Sequence, residues 1–146
     1  MREDLDKKLC EAFPNLYADR HKPMNETAMC WGFQMSDGWF KIIWALSKKL
    51  EAMILKQPED KRTWFKASTV KEKFGGLRFY MTSETDEMAK AIRTAERKSY
   101  KTCEMCGKPG KPNPVGWIST LCVGCRRKEN KRMGKTPAAP YSQKKD

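Results

Sequence analysis

Apolar residues recur along the chain with two distinct periods. Trp39, Ile42, Ile43, Leu46, Leu50, Met53 and Ile54 fall at i, i+3, i+4 and i+7, the spacing that lays one face of an α-helix against a core. Ser36 or Asp37 offers an oxygen to cap this main helix, Lys48, Lys49 and Lys56 populate its solvent side or carboxyl end, and Gln57-Pro58-Glu59-Asp60 stops it. A shorter helix is predicted over residues 3–13 from Leu5, Leu9 and Ala12, with Glu3, Asp4 and Asp6 at its amino end and Pro14 closing it. A third, over residues 85–100, turns Met88, Ile92, Ala95 and Ser99 inward, with Ser83 three residues before Asp86 in a variant of the capping box.

Between the second and third helices the period drops to two. Val70, Glu72 and Phe74 alternate with Lys71 and Lys73, and Leu77, Phe79 and Met81 alternate with Arg78 and Tyr80. The pair Gly75-Gly76 between these runs predicts a β-hairpin with a type I′ turn, whose two central residues both need positive φ. Residues 15–35 mix Pro23, Asn25 and Gly32 with Trp31 and Phe33 and read as an ordered loop or short strand. Trp31, Trp39, Trp44 and Trp64 are expected in the core rather than as base-stacking platforms, and Cys10 and Cys30 as small buried hydrophobes. The sum is an α+β domain over residues 1–100.

The chemistry lies beyond it. Cys103-Glu-Met-Cys106-Gly107 and Cys122-Val-Gly-Cys125 are two Cys-x-x-Cys pairs separated by 15 residues, a spacing that reads as a four-cysteine zinc site. Gly107 permits positive φ after the first pair, and Gly124 is expected to loosen the second turn in the same way. Pro109 to Pro114 reads as a loop, and Val115 to Leu121 as a strand with Trp117 packed over the site. Four protein thiolates saturate a tetrahedral Zn²⁺, so the expected role of Cys103, Cys106, Cys122 and Cys125 is to hold one structural ion, in a zinc-ribbon or treble-clef-like module over residues 101–133. Metal binding then supplies folding energy, and chelation is expected to unfold this end first. Residues 134–146, with Pro137, Ala138, Ala139 and Pro140, read as a disordered tail.

Charge sharpens the picture. The chain of 146 residues carries a formal charge of +12; residues 1–96 hold 17 Lys and Arg against 15 Asp and Glu, and residues 97–146 hold 13 against 3. A positive charge so concentrated suits a polyanion, although part of it offsets the −2 centre that four thiolates make with Zn²⁺. The densest run, Arg126-Arg127-Lys128-Glu129-Asn130-Lys131-Arg132, reads as a short helix starting at the second cysteine pair, and Arg126, Arg127, Lys128, Lys131 and Arg132 are the candidate phosphate contacts. Lys71, Lys73 and Arg78 on the hairpin, beside Tyr80, can extend that surface.

Other classes find little footing. No run of about 18 apolar residues is present, and the opening Met1-Arg-Glu-Asp-Leu-Asp lacks the layout of a secretory signal. A soluble, cytoplasmic protein without membrane contact is expected, in which paired cysteines serve metal rather than disulfides. His21 is the sole histidine and reads as an exposed loop residue; Phe74-Gly75-Gly76-Leu77 has neither the spacing nor the following helix of a phosphate-binding loop. No catalytic residue is assigned.

Four stretches carry a resemblance: Phe13-Pro14-Asn15-Leu16-Tyr17; Trp31-Gly32-Phe33 with Asp37-Gly38-Trp39-Phe40; Val70 to Tyr80, containing Lys-Glu-Lys-Phe-Gly-Gly-Leu-Arg-Phe-Tyr; and Cys103 to Gly107 with Gly116-Trp117 and Leu121-Cys122. In these the chain resembles a family of small proteins encoded by phages and prophages. The resemblance implies an accessory that regulates transcription or replication or inhibits a host enzyme, acting in the host cytoplasm, and it carries over no catalytic residue. The leading expectation is a non-catalytic, zinc-containing protein that binds nucleic acid, DNA or RNA. The alternatives are a protein-binding inhibitor of a host enzyme or defence system, and an enzyme with an unrecognised carboxylate site. Oligomeric state is not written in any of these residues.

Overall fold

The computed structural model describes residues 1–113 and 116–134. The first helix, α1, spans Glu3–Ala12, and a short 3-10 turn at Ala28–Trp31 leads into strand β1, Phe33–Gln34. The main helix α2 covers Phe40–Leu55, the hairpin strands β2 and β3 cover Ala67–Lys73 and Gly76–Met81, and α3 covers Asp86–Ser99. Beyond them a two-residue strand pair, β4 (Lys111–Pro112) and β5 (Thr120–Leu121), precedes α4, Val123–Arg132. The fold class is α+β as the periodicities predict. Apart from Gly134, the tail predicted for residues 134–146 lies outside the described residues.

Three strands form the main sheet in the order β1-β2-β3, with β1 parallel and β3 antiparallel to β2. Helix α2 bridges the parallel pair, packs on α3, and α3 packs on β3. Ile43, Leu46, Leu50 and Ile54 of α2 join Leu9, Leu16, Met29, Val70, Leu77, Phe79, Met88 and Ile92 in one core. Burial of each such side chain stabilises the fold by about 1.5–3 kcal/mol. The α2 face also buries Glu51, whose carboxylate accepts from the backbone N–H of Asn15 (3.1 Å) and Leu16 (2.8 Å) and from Asn15 Nδ2 (2.8 Å). Tyr17, likewise buried, shares a 2.6 Å hydrogen bond with Ser47.

Both edges of the sheet are occupied. The outward N–H groups of Leu77 and Phe79 on β3 donate to Ser99 Oγ (2.8 Å) and Glu96 Oε1 (3.2 Å) of α3. At the other edge the amino group of Met1 donates to the carbonyl oxygens of Phe33 and Met35.

Several local expectations are corrected. The register pairs Lys73 with Gly76, so the two-residue turn is Phe74-Gly75, not Gly75-Gly76; φ is +53° at Phe74 and +78° at Gly75. Gly76 serves another purpose, since a Cβ there would lie 2.3 Å from Cζ of Tyr100. Phe74 is thereby placed at the hairpin tip, 65% exposed, rather than inside. A bulge between Ala67 and Thr69 explains the imperfect alternation of β2, where Ala67 and Val70 are the buried positions.

Helix α3 is capped by Thr85, whose side chain accepts from Met88 N at 3.2 Å, and not by Ser83. Ser36 precedes a 3-10 turn at Asp37–Trp39 without a side-chain cap bond, so neither it nor Asp37 caps α2. Of the tryptophans expected inside, Trp39 is fully buried and Trp44 partly so, whereas Trp31 and Trp64 are 63% and 57% exposed. Ala12 is exposed and Leu5 half-buried, leaving Leu9 as the buried anchor of α1. Cys10 and Cys30 are half-buried rather than fully enclosed, and burial beside Asp6 pushes the Cys10 thiol up to about 12.

Candidate metal centre and basic surface

Helix α3 ends at Ser99 and delivers the chain into a tight knuckle. Cys103 N donates to Lys108 O (2.7 Å) and Gly107 N to Cys103 O (2.9 Å), with Gly107 at φ +77° as its position predicts. The second pair is built differently. Cys122 is the N-cap of α4 and its sulfur accepts from Cys125 N at 3.4 Å, which places Cys125 in the first turn of the helix. Gly124 is an ordinary helical residue there and loosens nothing. The first cysteine pair thus sits in a knuckle and the second at the start of a helix, with a short β-pair between them.

The four sulfurs converge. All lie within 4.8 Å of one another, and Cys106 Sγ stands 3.7 Å from Cys122 Sγ. A tetrahedral ion with bonds of about 2.3 Å to sulfur needs S···S edges of about 3.8 Å, so the cluster has the dimensions to hold one metal ion. Cys103 is fully buried, Cys122 and Cys125 are half-buried and Cys106 is exposed. The N–H of Cys125 draws the Cys122 thiol down to about 6, while burial and the neighbouring sulfurs push Cys125 up to about 12. A bound cation would favour the thiolate form of the raised Cys125.

The knuckle is fastened to the α+β core. Gly38 N donates to Glu104 O (2.6 Å), Trp39 Nε1 to Thr102 O (2.8 Å) and Ser36 N to Glu104 Oε1 (3.1 Å). Gly38 is there for close approach: a Cβ would sit 2.2 Å from Cys103 O and 2.3 Å from Glu104 O. Burial raises the Glu104 carboxyl above its ordinary value, against the opposing pull of the Ser36 amide. From the other side Thr120 Oγ1 donates to Gly75 O (2.5 Å), joining the hairpin tip to β5. Sequence reasoning missed this seam, and the one trace of it was the glycine at position 38.

Of the strand expected over Val115 to Leu121, Val115 lies outside the described residues and Thr120–Leu121 forms the strand among those described, while Trp117 is 81% exposed instead of covering the sulfurs. Of the candidate phosphate contacts, Arg126 points back into the module, donating to Lys111 O (2.7 Å) and Ser119 O (3.1 Å). Arg132 pairs with Glu129 at 2.6 Å. Arg127, Lys128 and Lys131 are exposed, form no ion pair among the described residues, and share one face of α4 with Gly124. Lys71 is half-buried, Lys73 exposed, and Arg78 donates to Tyr100 Oη (2.9 Å). His21 is exposed.

Among the described residues the buried carboxylates have assigned partners: Glu51 as above, and Asp19 paired with Lys22 (2.9 Å) and Lys66 (3.1 Å). Asp6, half-buried, pairs with Arg20 at 2.8 Å. No helix among these residues is long and apolar enough to cross a membrane. Compared with known proteins, the chain matches no family model, no curated protein and no solved structure.

Proposed function

We propose that the four cysteines hold one structural Zn²⁺ and that the module so fixed binds nucleic acid through α4, in a non-catalytic, regulatory role. Four soft thiolates at tetrahedral spacing favour zinc, and with all four positions filled by protein no site is left for substrate. The observation that carries the nucleic-acid reading is the face formed by Arg127, Lys128 and Lys131, three exposed cations on a helix whose first turn is pinned by the metal ligands. Gly124 on the same face leaves open space where a side chain would stand, which lets a phosphate backbone approach the helix. The resemblance to phage-encoded proteins agrees with an accessory of this kind.

Metal analysis of the purified protein is expected to return one zinc per chain. Anisotropy titrations of a labelled duplex should show affinity falling steeply with salt, and the triple variant Arg127→Ala, Lys128→Ala, Lys131→Ala should reduce the salt slope by about 3. Binding indifferent to both salt and the triple variant refutes the reading, as does a metal-free protein with unchanged stability. A second reading, capture of a host protein, draws on the groove of about 580 Å³ that α2 and α3 form beside the knuckle. Leu5, Ile42 and Ala45 line it together with Lys41, Lys49 and Lys98, a lining that suits an acidic amphipathic segment.

A further inference from the structure

The hairpin tip and the loop before β5 meet. The Ile118 side chain comes so close to Gly75 that a Cβ there would lie 2.9 Å from it, and Thr120 bonds to Gly75 O. Phe74 and Trp117 are the immediate neighbours of this contact, and both are largely exposed, at 65% and 81%. The loop is braced: Asn113 Nδ2 donates to Trp117 O (2.6 Å) and Asn113 Oδ1 accepts from Ser119 N (2.6 Å).

Phe74 stands out a second way. It is the single described residue other than glycine with positive φ, in a turn position that Asn or Gly fills without strain. A bulky aromatic ring in a strained conformation, held out to water, is a cost that packing does not offset. Cations border the patch. Lys73 Nζ lies 5.5 Å from the Phe74 ring centroid, and Arg126 ties the start of α4 to the same loop by donating to Ser119 O (3.1 Å). Glu72, two residues before Phe74, is occupied in accepting from Gly75 N (2.7 Å).

We propose that this surface binds single-stranded nucleic acid, stacking unpaired bases on Trp117 and Phe74 while Lys73 and the α4 cations follow the phosphates. The proposal rests on the nucleic-acid reading and narrows it. Duplexes keep their base faces inside the stack and cannot use the aromatics, whereas every unpaired base presents a π-face.

The test uses the full zinc-loaded chain with a labelled oligothymidylate of about 12 nucleotides, within the usual range of single-strand site sizes, and a duplex of matching length. Trp117→Ala is expected to weaken single-strand binding at least about fivefold and to leave duplex binding unchanged. Trp117→Phe should keep affinity while abolishing the fluorescence quenching that stacking produces. Phe74→Asn should weaken single-strand binding and raise the melting temperature, because it removes the aromatic and the strain together. Single-strand affinity insensitive to Trp117→Ala and Phe74→Asn, with duplex binding still dependent on Arg127, Lys128 and Lys131, overturns this inference and spares the broader reading. No binding to either probe overturns both.

Discussion

Replacing Gly38 with alanine tests whether the metal module and the α+β core form one energetic unit. The added Cβ would lie 2.2 Å from Cys103 O and 2.3 Å from Glu104 O, and both are backbone atoms that cannot swing aside. Restoring ordinary contact requires the knuckle to withdraw by about 1 Å, an overpacking strain of about 1–3 kcal/mol. The withdrawal also loosens the bonds from Gly38 N to Glu104 O, Ser36 N to Glu104 Oε1 and Trp39 Nε1 to Thr102 O, each contributing about 1 kcal/mol. A loss of about 3 kcal/mol corresponds to a fall in Tm of about 10 °C for a chain of this size. Because coupling is reciprocal, zinc affinity in a competitive chelator titration should fall by up to about 100-fold, and the variant should gain less stability from zinc than the parent does. Calorimetry with and without chelator separates the terms. A Gly38→Ala protein whose Tm and zinc affinity both match the parent refutes the seam as an energetic link.

Two further changes probe single features. Gly124→Ala places a methyl group where nothing lies within 4 Å, inside a helix, so urea denaturation of the holoprotein should show a gain of about 0.5–1 kcal/mol. Asp19 is an acid-sensitive carboxylate: burial opposes its ionisation, but hydrogen bonds from Lys22 and Lys66 outweigh that and hold it below its ordinary value. A carboxyl depressed in the folded state stabilises the fold above its unfolded pKa of about 3.9, and the contribution vanishes as pH falls through the lower folded value. Asp19→Asn should therefore lower stability at neutral pH and flatten its decline below about pH 4, a difference that parallel melts across pH reveal.

Legibility followed the length scale of the physics. The faces of α2 and α3 were visible because periodic burial is a property of a dozen residues at once, and the cysteine cluster because two short covalent spacings define each half of it. What escaped were contacts set by partners remote in sequence. Gly75 and Gly76 look alike in the chain, yet one supplies a positive φ and the other makes room for the Tyr100 ring, and only the second fact moves the turn to Phe74-Gly75. Gly38 read as part of a helix start because nothing nearby announces Glu104. Glu51 sits on the core face of α2 as a polar residue whose partners, Asn15 and Leu16, are 36 and 35 residues away. The helical period carries Trp39 inward, where its indole meets Thr102 O, but no such period covers Trp31 and Trp64, which are exposed.

The guarded sheet edges bear on what this protein can become when crowded. A strand with free outward amides invites an incoming chain to zip alongside, the route by which sheets polymerise. Here Ser99 and Glu96 already engage Leu77 and Phe79, and the terminal amine engages the carbonyls of Phe33 and Met35. Those four groups of the main sheet are thus withdrawn from the backbone template that edge-to-edge pairing uses.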